Sequence, residues 1–231
     1  MINNKMSAVR VAMLGLTAAG AMTVSHQAAA IDVSASASVA NMYFHRGRDL
    51  GNGDAAVSGD ITASVGGFYG GVWGSSGDDV NGTEYDLYAG YGLELGGISL
   101  DASVWNYVYP TSDGGADEVG DLTEVIVSAG LGPVSFTYYD NVAGDTSYEY
   151  YTLGAEFGSF SALVGYADPE EETDLGFDHD YTHLDFSYAY NENLSFTVSK
   201  VLDVDDEAMD DGSYIWDDDT LFVVSYSLPI K

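Results

Sequence analysis

Charged side chains recur in this chain two residues apart: Glu84 with Asp86, His183 with Asp185, and Arg46 with Arg48. In extended backbone, residues i and i+2 share a face, so the first two pairs would each aim two titratable groups to one side of a strand. The same polar faces carry Asp60, Glu94, Asp101, Glu124 and Glu156, and no Lys or Arg joins them. Eight carboxylates on one side of a sheet would draw cations and repel anions wherever that side met water. The plainer reading is a polar interior whose carboxyls are protonated or bonded to tyrosine hydroxyls, in a space too narrow to conduct. Both readings stand open at this level.

Arg46 and Arg48 are the positive charges of an otherwise acidic first loop. They are candidates to latch that loop onto interior carboxylates through bidentate pairs, or to hold an anionic group of a ligand or of lipopolysaccharide. The latch is the favoured role. Two later segments are densely acidic: Asp168, Glu170, Glu171, Glu172, Asp174, Asp178 and Asp180, then Asp203, Asp205, Asp206, Glu207, Asp210, Asp211, Asp217, Asp218 and Asp219. Carboxylate oxygens suit calcium and magnesium, so weak divalent binding is open, although residues 205–212 lack the spacing of an EF-hand loop. Solvated loops are the expectation, and the identity of any metal stays unknown. His183 beside Asp185 suggests general-base chemistry, but there is no G-x-S-x-G or H-E-x-x-H motif. A lipid hydrolase built on a barrel would need the pair to face lipid, where Leu184 and Phe186 point instead. No enzyme activity and no cofactor are expected.

The elements that must position these groups are short and two-faced. Val33, Ala35, Ala37 and Val39 alternate with Ser34, Ser36 and Ser38 in a strand expected over Val33 to Phe44. Val57, Ile61, Ala63 and Val65 alternate with Ser58, Asp60, Thr62 and Ser64. Tyr85, Leu87, Ala89, Tyr91 and Leu93 oppose Glu84, Asp86, Tyr88 and Glu94. With Phe68 to Gly74, Ile98 to Trp105, and segments over 122–131, 134–141, 148–157, 160–167, 181–190, 194–202 and 220–229, the pattern predicts about twelve strands. Tight turns near 66, 95–97, 131–133, 158–159 and 191–193 alternate with long connections near 45–55, 75–83, 110–120, 142–147, 168–180 and 203–219. Short turns on one side and long loops on the other are the pattern of a barrel threaded through an outer membrane. Lipid offers backbone groups no partner, so only an edgeless sheet survives there, with its apolar faces outward. Tyr85, Tyr91, Phe136, Tyr138, Phe157, Phe160, Tyr166, Phe186, Tyr190, Phe196, Phe222 and Tyr226 fall on those faces, many near strand ends where aromatic girdles belong. A soluble sandwich or lipocalin-like barrel also alternates, but it needs neither two loop classes nor strands long enough to span.

Residues 1–30 read as a signal peptide: Lys5 and Arg10, an apolar stretch from Val11 to Val24, and Ala28-Ala29-Ala30 for cleavage. Residues 31–231 form one expected domain, in which Arg46, Arg48, Lys200 and Lys231 stand against 37 acidic residues, a formal charge of −33. Such a surface repels nucleic acid. With 46% hydrophobic residues and 18 tyrosines the chain should nonetheless fold. There is no cysteine, which removes disulfides, thiolate metal sites and thiol nucleophiles.

Four motifs, Tyr43-Phe44-His45-Arg46-Gly47, Gly67-Phe68-Tyr69-Gly70-Gly71-Val72-Trp73-Gly74-Ser75, Glu84-Tyr85-Asp86-Leu87-Tyr88-Ala89-Gly90-Tyr91 and Tyr107-Val108-Tyr109-Pro110, resemble in order and spacing the Gcw_chp family. That family comprises Gram-negative outer-membrane proteins without an assigned function, and the match weakens after about residue 140. The chain departs from it where Ser58 stands in place of a Gln. It also ends on Leu228-Pro229-Ile230-Lys231 rather than on the aromatic residue that barrel-assembly machinery commonly reads. The resemblance implies fold and location but no activity. The expectation is therefore an all-β, closed, antiparallel up-and-down transmembrane barrel of about twelve strands, with short periplasmic turns and long acidic extracellular loops. In the cell outer membrane it would serve as a narrow cation-favouring channel or small-solute uptake protein. The alternative is a non-conducting surface barrel whose acidic loops bind divalent cations, lipopolysaccharide or partners. Outer-membrane lipid, lipopolysaccharide, the assembly machinery and small cationic solutes are the expected partners.

Overall fold

The computed structural model describes residues 30–112, 116–144, 148–169, 180–204 and 219–230. Among the described residues fourteen strands run in chain order: β1 Asp32–Ala40, β2 Phe44–His45, β3 Arg48–Asp49, β4 Ala56–Val65, β5 Phe68–Asp78, β6 Gly82–Leu95, β7 Ile98–Val108, β8 Leu122–Leu131, β9 Val134–Ala143, β10 Tyr148–Phe157, β11 Phe160–Pro169, β12 Tyr181–Ala189, β13 Leu194–Val204 and β14 Leu221–Ile230. β1 and β4 to β14 close into a twelve-stranded barrel in which each strand pairs with its chain neighbours and β1 seals the cylinder against β14. Every pairing is antiparallel, so the sheet has no free edge and leaves no row of unpaired backbone groups. The expected architecture is the one observed.

Alternation translates directly into two surfaces. Leu87, Val127, Leu153 and Phe186 look outward with 40%, 46%, 57% and 52% of their surface exposed. Their immediate neighbours Asp86, Ile126, Thr152 and Asp185 turn inward and are buried. A soluble protein rarely shows apolar patches of more than a few hundred Å², whereas here the exposed apolar residues recur on all twelve walls. Aromatic rings cluster at both ends of that belt, as Phe68 with Tyr91 and Phe160 with Phe186 near the tight turns, and Tyr138 with Tyr151 at the other end. The tight turns are local glycine chemistry: Gly66 and Gly67 take φ of +57° and +92°, the pair of positive angles that a two-residue hairpin requires.

Two boundaries differ most from expectation. The first strand ends at Ala40, and Phe44 belongs instead to a separate two-stranded hairpin, β2 with β3, that is not part of the barrel wall. Between β5 and β6 the expected long loop over 75–83 shrinks to residues 79–81. Ser75-Ser76-Gly77-Asp78 has the composition of a loop, but ladder bonds are made by the backbone, so pairing with β6 extends the strand through it. The signal peptide expected over 1–30 lies, apart from Ala30, outside the described residues. So do Glu170, Glu171, Glu172, Asp174, Asp178, Asp205, Asp206, Glu207, Asp210, Asp211, Asp217 and Asp218 of the acidic segments.

Candidate functional site

Inward positions near the long-loop end of the barrel carry large or charged side chains. On β6 these are Glu84, Asp86 and Tyr88; on β7, Trp105 and Tyr107; on β8, Glu124 and Ile126; on β9, Tyr139; on β10, Tyr148 and Tyr150; and on β12, Tyr181 and His183. All are buried. Tyr88 stacks on Trp105 with centroids 4.2 Å apart, so an aromatic layer fills one side of the lumen.

Into this layer folds the β2–β3 hairpin. His45 pairs with Arg48, leaving Arg46 and Gly47 as its two-residue tip with φ of +49° and +85°. Asn-Gly is the usual occupant of such a turn, and an arginine there accepts a backbone angle that side chains disfavour. The tip touches the opposite wall: a Cβ built on Gly47 would lie 2.4 Å from Cγ of His183, so only glycine fits. The Tyr181 hydroxyl donates to the Arg46 carbonyl at 2.9 Å.

The Arg46 side chain meets a carboxylate and three tyrosine rings. Its Nη2 donates to both oxygens of Glu124, at 2.9 and 2.7 Å, and the Tyr107 hydroxyl donates to the same carboxylate at 2.7 Å. The guanidinium carbon lies 4.7 Å from the ring centroid of Tyr139, 4.7 Å from that of Tyr150 and 5.1 Å from that of Tyr148. Each such cation–ring contact contributes about 0.5–2 kcal/mol, more where water is excluded. The expected two-nitrogen fork is not what forms, because one nitrogen serves both carboxylate oxygens while the rings take the faces of the cation. Arg48 is buried too, with its guanidinium carbon 5.0 Å over Tyr181. Beside these two cations, His45 is held well below its ordinary value, first by burial and then by the charges of Arg46 and Arg48.

The remaining expected site residues are spread along the lumen. Tyr43 of the first loop bonds the Glu84 carboxylate. Asp185 accepts from Ser199 Oγ at 2.6 Å and faces His183 Nδ1 at 2.9 Å, while His183 Nε2 meets the Tyr150 hydroxyl at 2.7 Å. Gly165 makes room for that contact, since a Cβ there would fall 2.1 Å from Nε2. The serine thus bonds the aspartate and not the histidine, and His183 is fully buried on the inner wall, so the nucleophile-to-base contact that acyl transfer needs is not made. Asp60 pairs with Ser36, and Asp101 accepts from Tyr69 at 2.9 Å, both lower in the barrel. Glu94 and Glu156 sit at the tight-turn rim, facing inward but exposed. Among the described residues no three His, Asp or Glu side chains are grouped to hold a metal ion.

Sequence reasoning missed the tyrosines. Tyr107, Tyr139, Tyr148, Tyr150 and Tyr181 stand on polar-face positions, and a tyrosine out of step with the apolar alternation was the available signal. Irregular registers beside two of the key residues, at Thr123/Glu124 and Thr182/His183, were not readable. Such irregularities re-aim side chains in barrels.

The Gcw_chp family, described as bacterial proteins of unknown function, matches residues 24–221. The chain belongs to that family. Three of its four resemblance motifs converge on the long-loop end of the lumen of this Gcw_chp protein: the hairpin tip, Glu84 with Asp86, and Tyr107. No curated protein matches the chain. Among solved structures it is similar to the KdgM porin, at 7% identity and a TM-score of 0.47, covering 87% of this chain and 99% of that one. A KdgM porin in complex with disordered oligogalacturonate gives 6% identity and 0.46, with the same coverage. OccD1 (OprD) gives 12% and 0.42, covering 87% of this chain and 65% of that one. These are likenesses of overall shape.

Proposed function

We propose that this chain is an outer-membrane barrel acting as a narrow, cation-favouring channel or small-solute uptake protein, with the β2–β3 hairpin as its closing element. The observation that carries the reading is the sign of the lumen. Asp60, Glu84, Asp86, Asp101, Glu124 and Asp185 point inward, and among the described residues no wall strand answers them with an inward Lys or Arg. The hairpin brings two cations to this lumen, Arg46 on Glu124 and Arg48 over Tyr181, and six inward carboxylates outnumber them. The exposed apolar belt supports a lipid surrounding, since it would be a liability in water, and the closed sheet meets the demand of lipid that no backbone group lack a partner. Arg46 and Arg48 are proposed as the latch, and Glu94 and Glu156 as the acidic rim of the opposite mouth.

Planar-bilayer recording tests this: Arg46→Ala protein should show single-channel steps whose reversal potential in a KCl gradient favours potassium. Steps that favour chloride would remove the selectivity assignment, and no steps in either the native or the Arg46→Ala protein would remove the channel. The second reading, a non-conducting surface barrel, is favoured by how fully the aromatic layer and hairpin fill the outer lumen. It is the reading that remains if releasing the hairpin opens nothing.

A further inference from the structure

We infer that the tyrosine cage around Arg46 is a recognition site for solutes bearing a guanidinium group, and that Arg46 occupies it as an internal stand-in while the hairpin is seated. The inference rests on the transport reading above.

The first support is where the cage comes from. Glu124 belongs to β8, Tyr107 to β7, Tyr139 to β9, and Tyr148 and Tyr150 to β10. Tyr139 and Tyr150 are directly opposed across the β9–β10 ladder, with ring centroids 5.2 Å apart. None of these residues comes from the hairpin, so the site belongs to the rigid wall and persists if the hairpin withdraws. The second support is the strain at the tip. Arg46 holds a left-handed φ of +49°, a conformation that persists in a non-glycine residue only when its surroundings impose it. Here the wall holds the side chain, and the turn yields to suit it.

The chemistry selects the ligand class. Three ring faces lie within 4.7–5.1 Å of one carbon, which suits a flat, delocalised, weakly hydrated cation that can stack. Both oxygens of Glu124 accept from that cation, and Tyr107 holds the carboxylate in place, so the guest must also donate N–H bonds. A quaternary ammonium has no donor, and a primary ammonium has no plane to lay between rings. Beside the seated Arg46 remains a cavity of about 40 Å³, room for one or two waters. A guest reaches the rings and Glu124 only by taking the place of Arg46, whose guanidinium already lies against them.

The test is calorimetric titration of detergent-folded protein with methylguanidinium, folding being confirmed by the shift between heated and unheated bands in gels. Arg46→Ala protein should bind methylguanidinium at least tenfold more tightly than the native chain. It should also bind it at least tenfold more tightly than Arg46→Ala/Glu124→Gln protein or than tetramethylammonium. Equal binding by the native and Arg46→Ala proteins, or equal binding of methylurea, overturns the inference. Should Arg46→Ala fail to fold, Arg46→Gln takes its place. Native protein in bilayers then gives an independent reading: saturable opening by methylguanidinium and not by methylurea is expected, and no difference between them overturns the site. Cation-selective steps without methylguanidinium binding would sink the ligand class alone. Binding without steps would sink the channel and leave the cage.

Discussion

The two halves of this lumen are built on the same strands and differ in almost everything else. Toward the long loops the inward positions are Tyr, Trp, Glu and His, packed to near-complete burial around a hairpin. Toward the tight turns the same strands place Gly90, Gly92 and Glu94 on β6, Ser99 and Asp101 on β7, Ser128 and Gly130 on β8, and Gly154 and Glu156 on β10. Tyr69 of β5 also projects there, with its hydroxyl on Asp101, and both rim glutamates are exposed. The contrast teaches that the wall is a uniform scaffold while the lumen is graded, filled with rings and charge partners toward the long loops and lined mostly by small and acidic residues toward the tight turns. On the proposed channel reading, whatever chooses or blocks a solute therefore resides toward the long loops.

Removing Glu124 should have the largest effect. Glu124→Ala leaves Arg46 buried without its counter-charge, a loss that costs about 3–5 kcal/mol in such pairs. The hairpin should leave its seat, and trypsin, unable to reach the buried Arg46 and Arg48 in the native protein, should cut after Arg48. Resistance equal to the native chain would mean that the rings alone hold the outer half shut. Gly47→Ala should come next. A methyl group at φ +85° and within 2.4 Å of His183 cannot be accommodated, so a penalty of about 1–3 kcal/mol falls on the hairpin and not on the barrel. Trypsin susceptibility should rise while the heat-shifted gel band is retained; loss of that band would mean the two halves are not separable.

Acid supplies a milder and reversible version. His45 titrates well below the ordinary 6.5 when the hairpin is seated and near that value once released, so the released form binds more protons. Seating is then fully stable above about pH 6.5 and weakens as pH falls below it. Trypsin-independent conductance at pH 5 should exceed that at pH 8, and His45→Asn should flatten the difference. A flat profile in the native protein would show that burial and the charges of Arg46 and Arg48 do not hold the imidazole neutral in the seated hairpin. The smallest effect belongs to the other mouth. Glu94→Gln with Glu156→Gln should alter stability by less than about 0.5 kcal/mol, as exposed substitutions do, while lowering the preference for cations over anions. A selectivity as strongly changed as by Glu124→Gln in an open channel would erase the proposed division of labour.

How much of this was legible depends on the range over which each feature is decided. The apolar and polar faces of Tyr85 to Glu94 follow from a period of two that any short stretch reveals, and so does the inward aim of Glu84, Asp86, Glu124 and Asp185. The turn at Gly66-Gly67 is likewise local. Residues 75–78 misled because a ladder bond does not consult side chains, and β2–β3 was hidden because two residues per strand are too few to show a period. The amino-acid order by itself determined a two-faced, twelve-stranded wall with acid on one side and grease on the other. Only the closed cylinder decided that Arg46 would meet Glu124, 78 residues along the chain, among rings from β9 and β10. Alternation is a property of neighbouring bonds, whereas the cage exists because closure brings distant strands around one axis and leaves a buried cation a single place to find both its charge partner and its rings.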